Sequence, residues 1–362
     1  MTTNEPTTEA QRDALASRIL DATLGAYDLL AIQLGLELGL YRALANGGPA
    51  TAHELAGRTG IGPRYAREWL EQQAVTGILS IDGGADSAES RRFALPAGHA
   101  EALIEPDSPA ASAPMSMFVL AAGRSWDRLL EAYRSGSGVA WDAYPGLVEA
   151  QELANRPLFR NVLPYEWLPA IPDIHERLTD GGRVADLACG AGWSTIAMAR
   201  AYPRSEVHGL DVDADSIARA RGNAEAEGLA DRIEFHQVDA GSHDLDGRFD
   251  LVTIFEAVHD LSRPVEVLRA ARDMLAPGGG VLVVDEKVAE TFGAPGDEIE
   301  RLMYAYSIFF CLPNSLADAP SVATGTVMRP ATLRRYAEEA GFSQVTILPI
   351  DHDTFRLYRL AP

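Results

Sequence analysis

Apolar residues recur along this chain with two different periods. From Ala14 to Gly47 they return every three to four positions, with Leu29, Leu30, Ile32, Leu34, Leu38 and Leu40 prominent. That spacing predicts helices, and their apolar surface is too broad for one solvent-facing helix, so they are expected to pack in a core or against a second subunit. Residues 1–12 are polar and expected to fray. Two short helices and a strand follow. Thr51 is placed as an N-cap, with Glu54 three positions on as its partner in a capping box. The chain turns at Gly60 and Gly62, a helix starts at Pro63 and carries Tyr65, Trp69 and Leu70, and Gly77 ends it ahead of an extended segment at 78–81. Residues 91–103 supply a returning strand and 83–90 an exposed wing, completing a winged helix-turn-helix pattern.

Between 101 and 164 the pattern stays helical and less regular. Pro145 and Pro157, with Pro164, Pro169 and Pro172 just beyond, are expected to break it into short helices. Trp126, Trp141, Tyr144, Phe159, Tyr165 and Trp167 read as core packing, with a cavity wall as the alternative. From Arg183 the period changes. Short apolar runs (183–190, 206–213, 233–240, 249–259, 280–288) alternate with amphipathic helical stretches. This predicts an α/β fold, a mainly parallel sheet covered on both faces, with ligands gathering beyond the carboxyl ends of its strands.

Length and composition narrow the picture. The chain has 362 residues, more than one core usually organises, so two domains are expected. Lys and Arg total 31 against 52 Asp and Glu, a formal charge of −21. Such a surface repels a phosphate backbone unless its cations are gathered in one patch, which argues against nucleic acid as the principal substrate and mildly against an anionic membrane. Arg64, Arg67, Arg91 and Arg92 lie on the second helix and wing, among Glu68, Glu71, Asp82, Asp86 and Glu89, so the winged helix reads as an assembly module rather than a DNA reader. Cys189 and Cys311 are the only cysteines, too few for a disulfide framework or a thiolate metal site. The start lacks the pattern of a secretory signal, and no uninterrupted apolar run is long enough to span a bilayer, so a cytoplasmic location without membrane association is expected.

The candidate chemistry sits at the strand ends. Asp186, Ala188, Gly190 and Gly192 lie in a tight turn straight after the first strand of the repeat, and Asp211 followed by Val212 closes the second. Small residues let a bulky cofactor approach the backbone, and a carboxylate ending the next strand can accept both hydroxyls of a ribose. A dinucleotide fingerprint would need a third small residue, where Thr195 stands. The turn, Asp211 and the segment Leu275, Pro277, Gly278 and Gly279 together resemble the cofactor site of class I S-adenosylmethionine-dependent methyltransferases. The resemblance covers residues 165–285 and implies a Rossmann-like seven-stranded sheet with a terminal antiparallel hairpin, here at 342–360. It implies S-adenosylmethionine as cofactor, the 186–192 loop around its amino-acid part, Asp211 on its ribose, Asp239 and Ala240 at its adenine, and Phe255 beside it.

His259 and Asp260 follow the fourth strand of the repeat and Glu286 ends the fifth. Methyl transfer to a hydroxyl needs a positioned acceptor and a group to take its proton, and an imidazole titrates near neutrality. The chain resembles small-molecule O-methyltransferases that carry an N-terminal winged-helix dimerisation region. That likeness puts His259 at the general-base position with Asp260 beside it and Glu286 steering it, and implies a homodimer. Leu261 stands where the family has tryptophan, and Arg263 and Pro264 replace acidic residues. On the residues alone, His259 is either a base or a structural hydrogen-bonding group. Glu256 is either a ligand contact or a helix-start carboxylate, and His208 and His236 are packed or surface histidines. No HxH, HExxH or carboxylate cluster points to a metal.

The expected organisation is a winged-helix-like dimerisation domain at 13–100, a helical linker at 101–164 contributing to the substrate cavity, and a methyltransferase domain at 165–362. The stretch 289–329 is expected to be an insertion covering the acceptor, with Met303, Tyr304, Tyr306, Phe309, Phe310 and Cys311 as wall residues. The expected reaction is methyl transfer to a small organic acceptor at a hydroxyl or phenol. The alternatives are N- or C-methylation and a cofactor-sensing DNA-binding regulator.

Overall fold

A computed structural model describes residues 7–82, 87–241 and 249–362. The chain divides into two units, Met1–Gly123 and Arg124–Pro362, so the boundary falls inside the segment read as a linker.

In the first unit a single helix, Thr8–Glu37, opens the chain. Residues 8–12, expected to fray, form its first turns, because the Thr7 hydroxyl accepts the Ala10 N–H and replaces the missing intrahelical partner. Leu15, Ile19, Leu20, Leu24, Tyr27 and Leu34 on it are all exposed. By length and composition this helix is also long and apolar enough to cross a bilayer, although polar and charged residues interrupt its apolar runs. The helices Leu40–Gly47, Ala52–Thr59 and Pro63–Val75 follow, with Tyr41, Leu44, Leu55, Trp69 and Leu70 as their buried core. Tyr65 is exposed instead. The capping box forms as expected: Thr51 N–H donates to Glu54 Oε2 at 2.8 Å and Glu54 N–H to Thr51 Oγ1 at 3.2 Å. Strands β1 (Ser80–Asp82) and β2 (Arg92–Ala94) pair antiparallel. The wing between them includes 83–86, outside the described residues. The returning strand is shorter than expected, because Pro96 ends it and begins the helix Ala97–Ile104.

The second unit is built on seven strands: β3 (Arg183–Leu187), β4 (Glu206–Asp211), β5 (Ile233–Gln237), β6 (Phe249–Phe255), β7 (Leu275–Glu286), β8 (Gln344–Ile347) and β9 (Phe355–Ala361). Their order is β5-β4-β3-β6-β7-β9-β8, with only β9 antiparallel to its neighbours. Strand order reverses between β3 and β6, which opens a crevice at their carboxyl ends. One face buries Val184, Val207, Phe235 and Leu251 beneath the helix Trp193–Ala201. The other buries Ala185, Leu210, Val252 and Val283 with Leu268 and Leu333 of the helices Pro264–Asp273 and Pro330–Glu339. The helix Leu147–Asn161 runs on through Pro157, where a break was expected, at the loss of one backbone donor.

Close packing sets one position in β4. A Cβ on Gly209 would lie 2.7 Å from Phe235 Cδ1 and 3.0 Å from Cys189 Sγ, so only glycine lets the Phe235 ring lie flat on the strand. Gly209→Ala is expected to cost about 1–3 kcal/mol through overpacking, read as a lower urea midpoint at unchanged slope.

Candidate active site

Asp186 is a buried carboxylate near the end of β3. Its Oδ2 accepts the hydroxyls of Ser194 and Thr195, both at 2.6 Å, and its Oδ1 accepts Thr253 Oγ1 at 2.7 Å. Burial raises its pKa, and the three hydroxyls oppose that shift. Asp186 is thus occupied within the protein, and Thr195, the residue that fails the dinucleotide fingerprint, is one of its donors. The turn after it runs left-handed at Ala188, Gly190 and Gly192, with φ of 55°, 53° and 81°. At Gly192 a Cβ would also meet Ala220 and Phe235 at 2.9 Å, so the helix that starts here sits directly on the sheet.

Asp211 ends β4 and faces that turn: its Oδ2 accepts Gly190 N–H at 2.8 Å and its Oδ1 Asp213 N–H at 2.9 Å. Burial raises its pKa, and these backbone donors oppose it. Val212 is exposed beside it, and Ala240 is half-buried. Asp239 accepts Gly241 N–H at 2.9 Å and Arg263 Nη2 at 3.3 Å. Phe255 is buried, its ring 5.3 Å from Phe159. Residues that no motif marked close this crevice from the helix Leu147–Asn161. Glu152 accepts Trp193 Nε1 at 3.0 Å and Asn223 Nδ2 at 2.8 Å, and Gln151 Nε2 reaches Glu256 Oε2 at 3.3 Å.

Glu256 is not a helix-start carboxylate, because the next helix begins at Pro264 and Glu256 itself takes φ 52° in the turn after β6. Its side chain is half-buried, with Oε1 shielded from solvent and without a hydrogen-bond partner. Burial, opposed mainly by His259, pushes its carboxyl up to about 7.

His259 is 2% exposed and enclosed by acids. Its Nδ1 lies 2.9 Å from Asp285 Oδ1 and 3.0 Å from Glu286 Oε2, and its Nε2 3.6 Å from Asp260 Oδ1. The fold therefore brings together His259, Asp260 and Glu286, as the sequence reading paired them, and adds Asp285, whose contact with the imidazole is the hydrogen bond. Cys311, reaching in from the insertion, lies against His259 and Asp260, and burial pushes its thiol up to about 12. The sequence shows no metal-binding spacing here, yet His259, Asp285 and Glu286, and separately His259, Asp260 and Cys311, bring one ligand atom each within 4.8 Å of one another. Burial alone would lower the pKa of His259, but Glu286, Asp285 and Asp260 raise it well above the ordinary value. Burial also raises Glu286 well above the carboxylate range, while His259 overcomes burial at Asp285 and lowers it.

The insertion folds as the helix Glu298–Tyr306, a π-helical turn Ser307–Cys311 and the short helix Leu312–Ser315. Met303, Phe310 and Cys311 are buried, whereas Tyr304 is partly exposed. Tyr306 lies within the field of Glu256 and Glu286, and burial first, with those acids, pushes its phenol up to about 12. Tyr133 and Tyr144 hold the turn by donating to the carbonyls of Ile308 and Phe309 at 2.9 and 2.7 Å.

Residues 178–319 match the family described as a methyltransferase domain, and residues 26–105 match the Rv2258c-like winged HTH domain. An uncharacterized protein of Synechococcus sp. is 31% identical over 146 residues, 38% of this chain and only about a third (34%) of that relative. The ubiquinone/menaquinone biosynthesis C-methyltransferase UbiE of Pseudomonas entomophila is 30% identical over 177 residues, 46% of this chain and 67% of its own. The solved structure of the mitomycin 7-O-methyltransferase MmcR superposes with a TM-score of 0.66 at 23% identity, covering 98% of this chain and 99% of that one. The chain belongs to the class I S-adenosylmethionine-dependent methyltransferases, with S-adenosylmethionine as the cofactor and a winged-helix domain ahead of the catalytic one.

The protonation of this cluster sets a pH dependence. An imidazole whose pKa is raised by folding stabilises the native state fully below its unfolded value of about 6.5 and loses that stabilisation as pH climbs through the raised value. A carboxyl raised by folding, as at Glu286 and Glu256, acts in the same direction. Between about pH 6.5 and 9 the unfolding free energy is therefore expected to fall, with a shallower slope in His259→Gln. A urea-unfolding series across that range checks this, and a flat or rising wild-type profile contradicts it.

Proposed function

We propose that this protein transfers a methyl group from S-adenosylmethionine to a hydroxyl or phenol of a small organic acceptor, with proton removal by the acid-imidazole cluster around His259. The observation that carries the proposal is that cluster's position, at the carboxyl ends of β6 and β7 beside the glycine turn. When bound, the cofactor supplies an electrophilic methyl on a sulfonium sulfur. The residues fit such a ligand. Glu256 Oε1 is a buried carboxylate oxygen that lacks a partner and suits a cationic group. Asp211 faces the turn with a carboxylate suited to a vicinal diol, and Ala188, Gly190 and Gly192 keep the loop low.

In this reading Asp186 does not touch the cofactor; it fixes the loop that does. Val212, Asp239, Ala240 and Phe255 border the nucleoside part. Asp285 and Glu286 orient His259 through Nδ1, which leaves Nε2, on the side of Asp260 and Cys311, as the atom that receives a proton once the ring is neutral, so transfer is expected to rise with pH toward the raised pKa of the imidazole. The insertion, through Tyr306 and Cys311, closes the acceptor side and excludes water, which strengthens every charge interaction within.

His259→Ala is expected to reduce methyl transfer, followed as S-adenosylhomocysteine formed with a phenolic acceptor panel, by about 10²–10⁴-fold while the cofactor dissociation constant stays put. An equal loss of cofactor affinity would make His259 structural. Methyl attached to carbon in the product spectrum would favour the second reading, C-methylation, for which the likeness to UbiE speaks.

The enzyme is further proposed to act as a cytoplasmic homodimer through its N-terminal unit. The exposed apolar row Leu15, Ile19, Leu20, Leu24, Tyr27 and Leu34 supports this, since an exposed patch of that extent marks an interaction surface. The four arginines that a DNA reader would use are engaged with acids instead: Arg64 with Glu68, Arg67 with Glu71 at 3.3 Å, Arg91 with Glu71 at 3.0 Å and Arg92 with Glu54 at 2.9 Å. Light scattering is expected to give twice the chain mass for the wild type and the chain mass for Leu20→Asp/Leu24→Asp. A monomeric wild type that floats with lipid vesicles would assign the row to a membrane.

A further inference from the structure

The outer edge of the sheet carries a cluster that the methyl-transfer reading does not use. β4 and β5 pair with His208 opposite Glu234 and Leu210 opposite His236, so His208, Glu234 and His236 share one face. His208 Nδ1 lies 3.1 Å from His236 Nε2 and 3.6 Å from Glu234 Oε2, and His236 Nε2 lies 3.8 Å from that same oxygen. The rings are 14° from parallel with centroids 5.4 Å apart, so it is the nitrogens and not the ring faces that approach.

A second layer fixes His208. Arg183 donates to both oxygens of Glu206, at 3.1 and 2.9 Å, so both act as acceptors. With Oε1 accepting from Arg183, the 2.8 Å contact between Glu206 Oε1 and His208 Nε2 puts the hydrogen on Nε2. In the neutral ring, Nδ1 then carries a lone pair aimed at His236 and Glu234. A carboxylate holding one ring nitrogen while the other faces a convergent donor set is how imidazole ligands are oriented on metals. His208 is also packed edge-on against Phe249, at 82° and 5.4 Å, which fixes its ring. A tetrahedral ion with ligand bonds of about 2.0–2.2 Å sets its ligand atoms about 3.3–3.5 Å apart, within about half an ångström of the separations here.

We propose that His208, His236 and Glu234 form a binding site for a divalent cation of the zinc class, which pins the edge strand β5 to β4. Two imidazoles and one carboxylate favour zinc, cobalt or nickel over magnesium or calcium. Three protein ligands leave a fourth position for water on the side of the exposed Glu234. The site lies three residues before Asp211 on β4, and β5 leads on to Asp239 and Ala240, so a bound ion ties together the two strands whose ends border the crevice.

Chelator-treated full-length protein is titrated with zinc chloride by calorimetry and, separately, with cobalt chloride by visible absorption. His236→Ala and Glu234→Gln, both on the open edge, are compared with the wild type after circular dichroism shows each to be folded. The proposal expects one zinc per chain, at least tenfold weaker binding in His236→Ala and weaker binding in Glu234→Gln. It also expects a tetrahedral cobalt band that His236→Ala loses, and a zinc-dependent rise in Tm confined to proteins that bind. Absence of zinc binding by the folded wild type would leave a plain imidazole-imidazole hydrogen bond and overturn the proposal. Binding undiminished in both variants would overturn it too, by placing the ion elsewhere, for instance at His259.

Discussion

The catalytic unit is organised around one buried carboxylate. Asp186 receives hydroxyls from Ser194 and Thr195 on the helix that follows the glycine turn and from Thr253 on the neighbouring strand β6. Short hydrogen bonds to a carboxylate are strong because the charge has left water and has few other ways to be satisfied. Three such bonds tie strand, turn and helix into a single geometry. With the helix pinned by Ser194 and Thr195, and Gly190 N–H drawn to Asp211, the loop has little freedom left, and the crevice between β3 and β6 is shaped before any ligand enters.

The second organising feature is a concentration of charge that water would normally screen. One imidazole is enclosed by Asp260, Asp285 and Glu286, with Glu256 in the same field. So many acids cannot all ionise in a buried space. Protons are shared out, with Asp285 the acid that ionises most readily and Glu256 and Glu286 retaining theirs into the neutral range and beyond. Such a site holds one carboxyl, Glu256, that titrates near neutrality, and its oxygen Oε1 is left without a partner in the crevice.

The N-terminal unit carries an architecture whose commonest use is reading DNA. A winged helix reads DNA when its cations are free to meet phosphates. Here Arg64, Arg67, Arg91 and Arg92 are each matched by a glutamate, and large apolar residues of the helix Thr8–Glu37 are exposed. In the dimer proposed for this chain, surface chemistry, not topology, directs the unit toward association.

The sequence by itself determined what depends on near neighbours. Alternating short apolar runs and amphipathic helices determined a parallel sheet, the spacing of Thr51 and Glu54 a capping box, and the small residues ahead of Asp211 a tight turn at a strand end. Each follows from backbone sterics and periodicity within about ten residues. Tertiary structure alone decided partnership. Which of the adjacent Asp285 and Glu286 makes the hydrogen bond to His259 depends on how the turn after β6 meets the end of β7. Thr195, read from sequence as a failed fingerprint position, becomes a ligand of Asp186 only when its helix docks. Cys311 reaches His259 because the insertion folds back, and His208 meets His236 because β4 and β5 pair in one register. Glu256, which its position left as either a ligand contact or a helix-start carboxylate, lies in a left-handed turn with a buried oxygen. These pairings join residues far apart in the chain, and the strand order and register that join them are set by packing over the whole sheet, which no local pattern encodes.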